Sequence, residues 1–170
     1  YNRTNDICDG LLDSTSGGVT RFGRLVVEEC NRLGVVLDCT HVGKRSTLEI
    51  IDHSRDPVIF SHSNPSRLAP NPRNIDDEQM RACAGRGGLI GLVAWGPLVM
   101  RPGTTHWPTI DEYIDMVLYA ARLLGGTAPL ASMLRNAIGM SSQCQSAFAL
   151  RSKPCQNVVK RAPPSELCSA

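Results

Sequence analysis

The chain has 170 residues, of which 42% are hydrophobic and 20% are charged, an ordinary composition for one compact globular domain. Its net charge of +2 is too small to predict a nucleic-acid or anionic-membrane partner. The longest apolar run, residues 89–100, is interrupted by glycine and proline and is shorter than the about 20 residues of a membrane span, so no transmembrane segment is predicted.

Helices and strands are predicted to alternate after a polar, turn-rich loop over residues 1–18. The first helix is capped by Thr20 and ends at Gly34, and the apolar run 35–39 predicts a parallel strand covered on both faces. The remaining predicted elements are a helix opened by a capping box of Ser46 and Glu49, a strand at 57–60, a helix from Asp76 to about Ala84, a strand at 89–95 and a helix capped by Thr109 that runs to Leu124. This alternation predicts an α/β fold with a parallel sheet, whose functional site lies at the carboxyl ends of the strands.

Two histidines follow the first two predicted strands directly. His41 comes after residues 35–39, and His62 comes after residues 57–60. Because neighbouring strands lie about 4.8 Å apart, both imidazoles can converge on one metal ion. A hydrogen-bonded structural role is the alternative for each. No third ligand is evident, since Asp38 points away from His41 in a strand and is predicted to support a ligand instead.

Other polar residues are weaker candidates. Arg73, in the long loop after His62, can grip a carboxylate with its guanidinium, although a solvated loop arginine is the alternative. His53 is predicted near a helix C-terminus, and His106 can line the mouth of the site. Ser61 and Ser63 flank His62, but no catalytic-triad order or nucleophile elbow is present, so serine catalysis is not expected.

The seven cysteines include no pair at C-x-x-C spacing, and their number is odd. This pattern argues against a disulfide framework and against a zinc ribbon. Cys30, Cys39 and Cys83 lie in apolar segments and are predicted to be small buried side chains. The localisation is unknown from the sequence, with a reducing, cytoplasmic compartment favoured.

Residues 18–42, with the sequence GVTRFGRLVVEECNRLGVVLDCTHV, closely resemble the membrane (renal) dipeptidase family of zinc metallopeptidases. Residues 56–64 and 72–77 resemble the same family, and the resemblance covers about residues 1–124. It implies a (β/α)8 TIM-like barrel with two zinc ions at its carboxyl end. It also implies a metal-bridging water that attacks the peptide bond of a dipeptide.

The resemblance assigns roles to individual residues. It implies that His41 and His62 bind the second metal and that Arg73 holds the carboxylate of the substrate. Tyr1 stands where several members carry a substrate-binding histidine, which makes Tyr1 a second substrate-binding candidate. The family's His-x-Asp ligand pair and bridging glutamate are expected upstream. No catalytic residue is assigned, because the family's proton-transfer aspartate follows a later strand and residues 125–170 contain no aspartate.

Two regions are therefore predicted, a partial dipeptidase barrel over residues 1–124 and an atypical tail over residues 125–170. The tail has five basic residues and one acidic residue, whereas residues 1–124 have thirteen basic and fifteen acidic residues. The tail is expected to be out-of-frame or unrelated sequence, and the alternative is a divergent helical extension supported by residues 130–137.

The predicted function is zinc-dependent hydrolysis of a dipeptide, with this chain expected to be a fragment that is inactive alone. The alternative is a non-catalytic scaffold or interaction fragment that retains only the barrel packing. An open half-barrel leaves strand edges unpaired, so a partner chain or homo-oligomer is a further expectation. No nucleic-acid partner is expected, because the basic tail lacks interleaved aromatic residues.

Overall fold

The computed structural model describes residues 2–14 and 16–133, which fold into an α/β structure with parallel strands. In chain order the elements are α1 (Arg21–Leu33), α2 (Lys44–His53), β1 (Ile59–Phe60), α3 (Asp77–Gly85), β2 (Leu89–Val93), α4 (Gly96–Val99), α5 (Ile110–Leu124) and β3 (Leu130–Met133). The predicted alternation of helices and strands is confirmed after α2, with α4 as an additional short helix within a predicted loop, whereas only an isolated bridge at Asp38 stands in place of the strand predicted between α1 and α2. No helix in this part of the chain has both the length and the apolar character to cross a membrane.

The three strands form one parallel sheet in the order β1-β2-β3. Residues 37–39 extend the sheet beyond β1, because the Cys39 N–H donates to the Ile59 carbonyl (2.8 Å) and the Ile59 N–H donates to the Leu37 carbonyl (2.9 Å). The chain segments that precede His41 and His62 are therefore neighbours. Their parallel direction brings the residues that follow them to one edge of the sheet.

The first predicted strand is shorter than expected. Val35 and Val36 make no strand pairing and are 52% and 63% exposed, so the expectation of a strand covered on both faces is wrong at these positions. The Val35 N–H instead donates to the Cys30 carbonyl (2.9 Å), which closes the end of α1 around Gly34 in the left-handed conformation.

Three of the four predicted helix caps are confirmed. The side chains of Thr20, Asp76 and Thr109 each accept a hydrogen bond from the backbone three residues on, and the last two form full capping boxes. The predicted capping box of Ser46 and Glu49 is wrong. α2 starts two residues earlier, at Lys44, and the Glu49 carboxylate accepts a hydrogen bond from the Val19 N–H (2.8 Å).

Residues beyond Leu124 continue the sheet. β3 pairs with β2 in register from Ile90 opposite Leu130 to Val93 opposite Met133, so the alternative of a helical extension does not hold for residues 130–133. Residues 134–137 lie outside the described residues. The domain boundary at Leu124 stays a prediction, as does the origin of the tail.

The core lies between the sheet and the helices. It is built mainly on β2, which is buried from Ile90 to Val93, with Phe60 of β1, Met80 of α3 and Met116 of α5 packed around it. Each fully buried large side chain contributes about 1.5–3 kcal/mol. Cys39 and Cys83 are buried as predicted, Cys30 is half-buried, and the four cysteines of the described part are free thiols.

One glycine of β2 lets the loop after β1 pass close to the sheet. A Cβ atom at Gly91 would lie 2.1 Å from the Ser61 carbonyl oxygen, which is too close for any side chain. The Gly91 carbonyl in turn accepts a hydrogen bond from the Ser63 N–H (2.8 Å). The backbone on both sides of His62 is therefore packed against β2.

Candidate functional site

His41 and His62 converge at the edge of the sheet. Their Nε2 atoms lie 3.1 Å apart, and their rings meet edge to face with centroids 5.1 Å apart. His41 lies in the turn before α2 with φ of 75°, the only positive φ of a non-glycine residue in the described part. A left-handed conformation costs an L-residue about 1–2 kcal/mol, and such strain is characteristic of functional positions. The structure thus brings together the two residues predicted as metal ligands.

The outer nitrogen of His41 is a hydrogen-bond donor. His41 Nδ1 lies 2.6 Å from Asn2 Oδ1, an amide oxygen that can only accept. The proton of a neutral His41 ring is therefore on Nδ1. This leaves the lone pair on Nε2, which points at His62.

The outer nitrogen of His62, Nδ1, is also a hydrogen-bond donor, and its acceptor is the hydroxyl oxygen of Ser61. His62 Nδ1 lies 2.7 Å from Ser61 Oγ, and Ser61 Oγ lies 2.5 Å from Asp38 Oδ2. Burial raises the pKa of Asp38, but hydrogen bonds from Ser61 and Thr40 outweigh it and hold that pKa below its usual value. An ionised Asp38 only accepts, so Ser61 gives its single hydroxyl proton to Asp38 and accepts from His62 Nδ1–H.

Two nitrogen lone pairs consequently face each other at 3.1 Å, an arrangement that needs a positive charge between them. Burial, together with the positive charges of Arg73 and of a protonated His62, lowers the pKa of His41 to about 4, so the two rings do not both carry a positive charge at neutral pH. A metal ion suits the pair, since two nitrogens at the usual Zn–N distance on one tetrahedral zinc lie roughly 3.3 Å apart. The two histidines therefore fit the role of metal ligands.

The described part of the chain supplies only these two histidines to such a centre. No group of three or more histidine, cysteine, aspartate or glutamate side chains is placed to hold a metal ion within residues 2–14 and 16–133. Cysteine does not substitute, because burial raises the pKa of Cys83 to about 11 and that of Cys39 further, so both thiols stay protonated. Asp38 supports His62 through Ser61, in agreement with its predicted supporting role.

Arg73 lies next to the two histidines. Its Nη2 atom is 3.5 Å from the His62 carbonyl oxygen, and together with His41 it lines a cavity of about 230 Å³. Lys44, at the same cavity, is paired with the carboxylates of Asp76 (2.7 Å) and Glu78 (2.6 Å). The arrangement puts a guanidinium within reach of an anionic group bound beside the imidazoles, as a carboxylate clamp requires.

Two buried asparagines that the sequence did not single out hold the loop carrying Arg73. Asn64 binds both backbone groups of Val93, donating from Nδ2 to the carbonyl (2.8 Å) and accepting from the N–H at Oδ1 (3.0 Å). Asn74 accepts from the Asn64 N–H (3.1 Å) and donates to the Leu98 carbonyl (2.9 Å). Because asparagine is common in solvated loops, its type and position do not reveal this role without the fold.

The remaining candidates are dispersed. Tyr1 lies outside the described residues. His53 ends α2 and contacts Glu28 (3.1 Å), while His106 contacts the Trp107 carbonyl (3.0 Å) near the start of α5. The described hydrogen bonds and ion pairs of His53 and His106 go to other residues, among residues 2–14 and 16–133. Ser61 lies between an aspartate and a histidine and gives its proton to the aspartate, whereas a serine nucleophile gives its proton to the histidine.

The sequence and the fold both match known hydrolases. The family described as membrane dipeptidase (peptidase family M19) matches residues 1–129. An uncharacterized dipeptidase from Schizosaccharomyces pombe is 31% identical over 121 residues, covering 71% of this chain and 28% of that protein. The dipeptidase VerJ from Clonostachys rogersoniana is 28% identical over 128 residues, covering 72% of this chain and 32% of that protein.

Two solved structures share the fold. An amidohydrolase from Pseudomonas aeruginosa superposes with a TM-score of 0.72 at 32% identity, covering 83% of this chain and 42% of that one. A metallopeptidase from Rhodobacter sphaeroides, liganded with a phosphinate mimic of the dipeptide L-Ala-D-Ala, superposes with a TM-score of 0.70 at 21% identity, covering 87% of this chain and 46% of that one. The chain spans less than half the length of each of these relatives.

Proposed function

Because this chain belongs to the membrane dipeptidase family (peptidase family M19), we propose that it supplies part of the active site of a zinc-dependent dipeptidase. The observation that carries the proposal is the convergence of His41 and His62, whose Nε2 lone pairs face each other at 3.1 Å. When bound, the zinc would activate a water molecule and polarise the scissile carbonyl. In this role the two imidazoles stay neutral and donate their Nε2 lone pairs to the metal.

The substrate part of the proposal rests on Arg73. A dipeptide ends in a free carboxylate, and a guanidinium can bind both of its oxygens at once. Arg73 lies beside the histidine pair, in a loop that two buried asparagines hold in place. The relatives named as dipeptidases support a dipeptide as the substrate class. Tyr1 stays a prediction for this role.

The fold part of the proposal is a partial (β/α)8 barrel. Alternating helices and parallel strands, with the candidate residues at one edge of the sheet, are what a segment of such a barrel would show. Val35 and Val36 are exposed large apolar side chains, and the proposal includes further chain, beyond the described residues, that covers them.

We expect the 170-residue chain alone to bind zinc weakly and to be inactive on dipeptides. The two histidines of its described part are one ligand short of the three that a catalytic zinc needs. Zinc binding by the metal-free chain can be measured by isothermal titration calorimetry, with the His62→Ala variant as the test and His53→Ala as the matched control. Binding should disappear in the first variant and persist in the second.

Two outcomes would count against the proposal. Equal zinc binding by the original chain and His62→Ala would place the metal elsewhere and favour a non-catalytic scaffold. Rapid hydrolysis of a simple dipeptide by the chain, abolished by a chelator, would contradict its expected inactivity alone. Activity should then be tested again with Arg73→Lys, which keeps the charge and loses the two-pronged geometry.

A further inference from the structure

Ser61 lies at the centre of a hydrogen-bond chain that the proposed function does not by itself require. Its hydroxyl bridges Asp38 Oδ2 at 2.5 Å and His62 Nδ1 at 2.7 Å. Asp38 Oδ1 also accepts from the backbone N–H groups of Thr40 (2.9 Å) and Ser61 (3.1 Å). One carboxylate thus binds the backbone just before His41 and just before His62, so it holds the two histidine-bearing turns together.

We propose that Asp38 and Ser61 are positioning residues that set the tautomer of His62. The Asp38 carboxylate orders the Ser61 hydroxyl so that its oxygen faces His62, which holds the imidazole proton on Nδ1. The Nε2 lone pair is then presented toward His41 before any metal arrives. The hydrogen-bond chain itself stands on the geometry alone, and its consequence for the metal rests on the proposed function.

The direction of the hydrogen bonds from His62 through Ser61 to Asp38 follows from the number of protons that each group can donate. An ionised carboxylate has no proton to give, and a hydroxyl has one. Ser61 donates that proton to Asp38, so the hydrogen bond between Ser61 and His62 must use the proton on His62 Nδ1. The opposite direction would place a proton on His62 Nε2, facing His41, where it would block the position that a metal needs.

Asp38→Asn tests the direction of these hydrogen bonds, because an asparagine amide can donate to Ser61 whereas the Asp38 carboxylate can only accept from it. The amide oxygen can keep the hydrogen bonds from the Thr40 and Ser61 N–H groups, while the amide NH₂ donates to Ser61 Oγ. The Ser61 hydroxyl proton, released from residue 38, then donates to the close His62 Nδ1 rather than to the more distant Thr40 Oγ1 (3.4 Å), which moves the imidazole proton to Nε2. Ser61→Ala removes the acceptor and leaves the tautomer unset, whereas Ser61→Thr keeps the hydroxyl and should behave like the original chain.

The primary measurement is the tautomer of His62 in the metal-free chain, read from long-range ¹H–¹⁵N NMR spectra above the pH range of imidazole titration. The chain has only four histidines, and His62→Gln identifies the signals of His62 by their loss. We expect the Nδ1–H form in the original chain and in Ser61→Thr, the Nε2–H form in Asp38→Asn, and a mixture in Ser61→Ala. Ser63→Ala is the matched control, since Ser63 is buried on the other side of His62 and its hydroxyl has no hydrogen-bond partner in the described part.

The second measurement is zinc affinity by calorimetry. Loss of such a supporting hydrogen bond weakens metal binding by about 10–100-fold, so we expect that loss in Ser61→Ala and a larger one in Asp38→Asn. Ser61→Thr and Ser63→Ala should stay close to the original value. Should Ser61→Ala not fold, Asp38→Asn carries the same test.

The two proposals fail in different ways. An unchanged Nδ1–H tautomer in Asp38→Asn would overturn the positioning role, whether or not zinc binds. Absence of zinc binding in the original chain, together with the expected tautomers, would overturn the proposed function and leave the hydrogen-bond chain intact.

Discussion

Asn64 offers the sharpest test of how the loop around His62 is held. Its side chain is fully buried and satisfies the N–H and carbonyl of Val93, with a further bond from Nδ2 to the Leu98 carbonyl (3.2 Å). Asn64→Ala would leave the two Val93 groups buried without this amide. A buried polar group that loses its partner costs about 1–3 kcal/mol, so we expect a loss of about 3 kcal/mol in the free energy of unfolding.

Asn71→Ala is the matched control in the same loop. Asn71 also makes two hydrogen bonds, accepting from the Arg73 N–H (2.9 Å) and donating to the Pro97 carbonyl (3.1 Å), but both are only part-buried. Water can replace the lost amide there, so the expected loss is about 1 kcal/mol.

The assay is equilibrium unfolding in urea followed by circular dichroism. The two variants are compared by the urea concentrations at the midpoints of unfolding, provided that the unfolding free energy falls with urea at the same slope in both. A domain is stable by about 5–15 kcal/mol, so a loss of about 3 kcal/mol lowers the midpoint strongly without abolishing folding. Equal losses in Asn64→Ala and Asn71→Ala would refute the reasoning, because burial would then make no difference.

Two further predictions concern the free energy of unfolding, measured in the same way. Burial raises the pKa of Asp76, but hydrogen bonds from Lys44 and the Gln79 N–H hold it below its usual value. The resulting stabilisation is present above the unfolded-state pKa of 3.8 and is lost as the pH falls through the lower folded-state value. Because this carboxylate is partly exposed, Asp76→Asn should lower the free energy of unfolding by less than about 1 kcal/mol at neutral pH. Below the unfolded-state pKa, the variant should lose less stability than the original chain as the pH falls. An equal loss of stability in both proteins over that pH range would contradict this prediction. Gly34→Ala should cost about 1 kcal/mol, because Gly34 has φ of 71°. Gly85→Ala is the control, because Gly85 lies at the end of α3 and a Cβ atom there meets nothing within 4 Å, so this substitution should be neutral or stabilising. An equal loss of stability in Gly34→Ala and Gly85→Ala would contradict the explanation from the positive φ of Gly34.

Local chemistry explains the features that the sequence predicted correctly. The caps at Thr20, Asp76 and Thr109 depend on a side chain and a backbone group three residues away, so the pattern contains both partners. The parallel direction of the strands follows from their alternation with helices. The placement of His41 and His62 after neighbouring parallel segments needs no more than this, and their convergence was predictable.

The failed predictions involve partners distant in sequence. Glu49 lies at a capping-box spacing from Ser46, but its carboxylate binds Val19, 30 residues away. Val35 and Val36 have a strand-like composition, yet no other described segment pairs with them. Residues 130–133 join the sheet because β2 offers them an edge, a tertiary effect that overrides their weak local preference.

The sequence by itself determined the class of fold, the family and the residue types at the candidate site, because these follow from periodicity, local caps and the motifs of residues 18–42, 56–64 and 72–77. Only the tertiary structure decided what those residues do to one another. The proton position of His41 depends on Asn2, 39 residues away along the chain, and that of His62 depends on Ser61 and on Asp38, which lies 23 residues before Ser61. A hydrogen bond has a direction only once its donor and acceptor are placed, and that placement is made by the pairing of strands and the packing of loops.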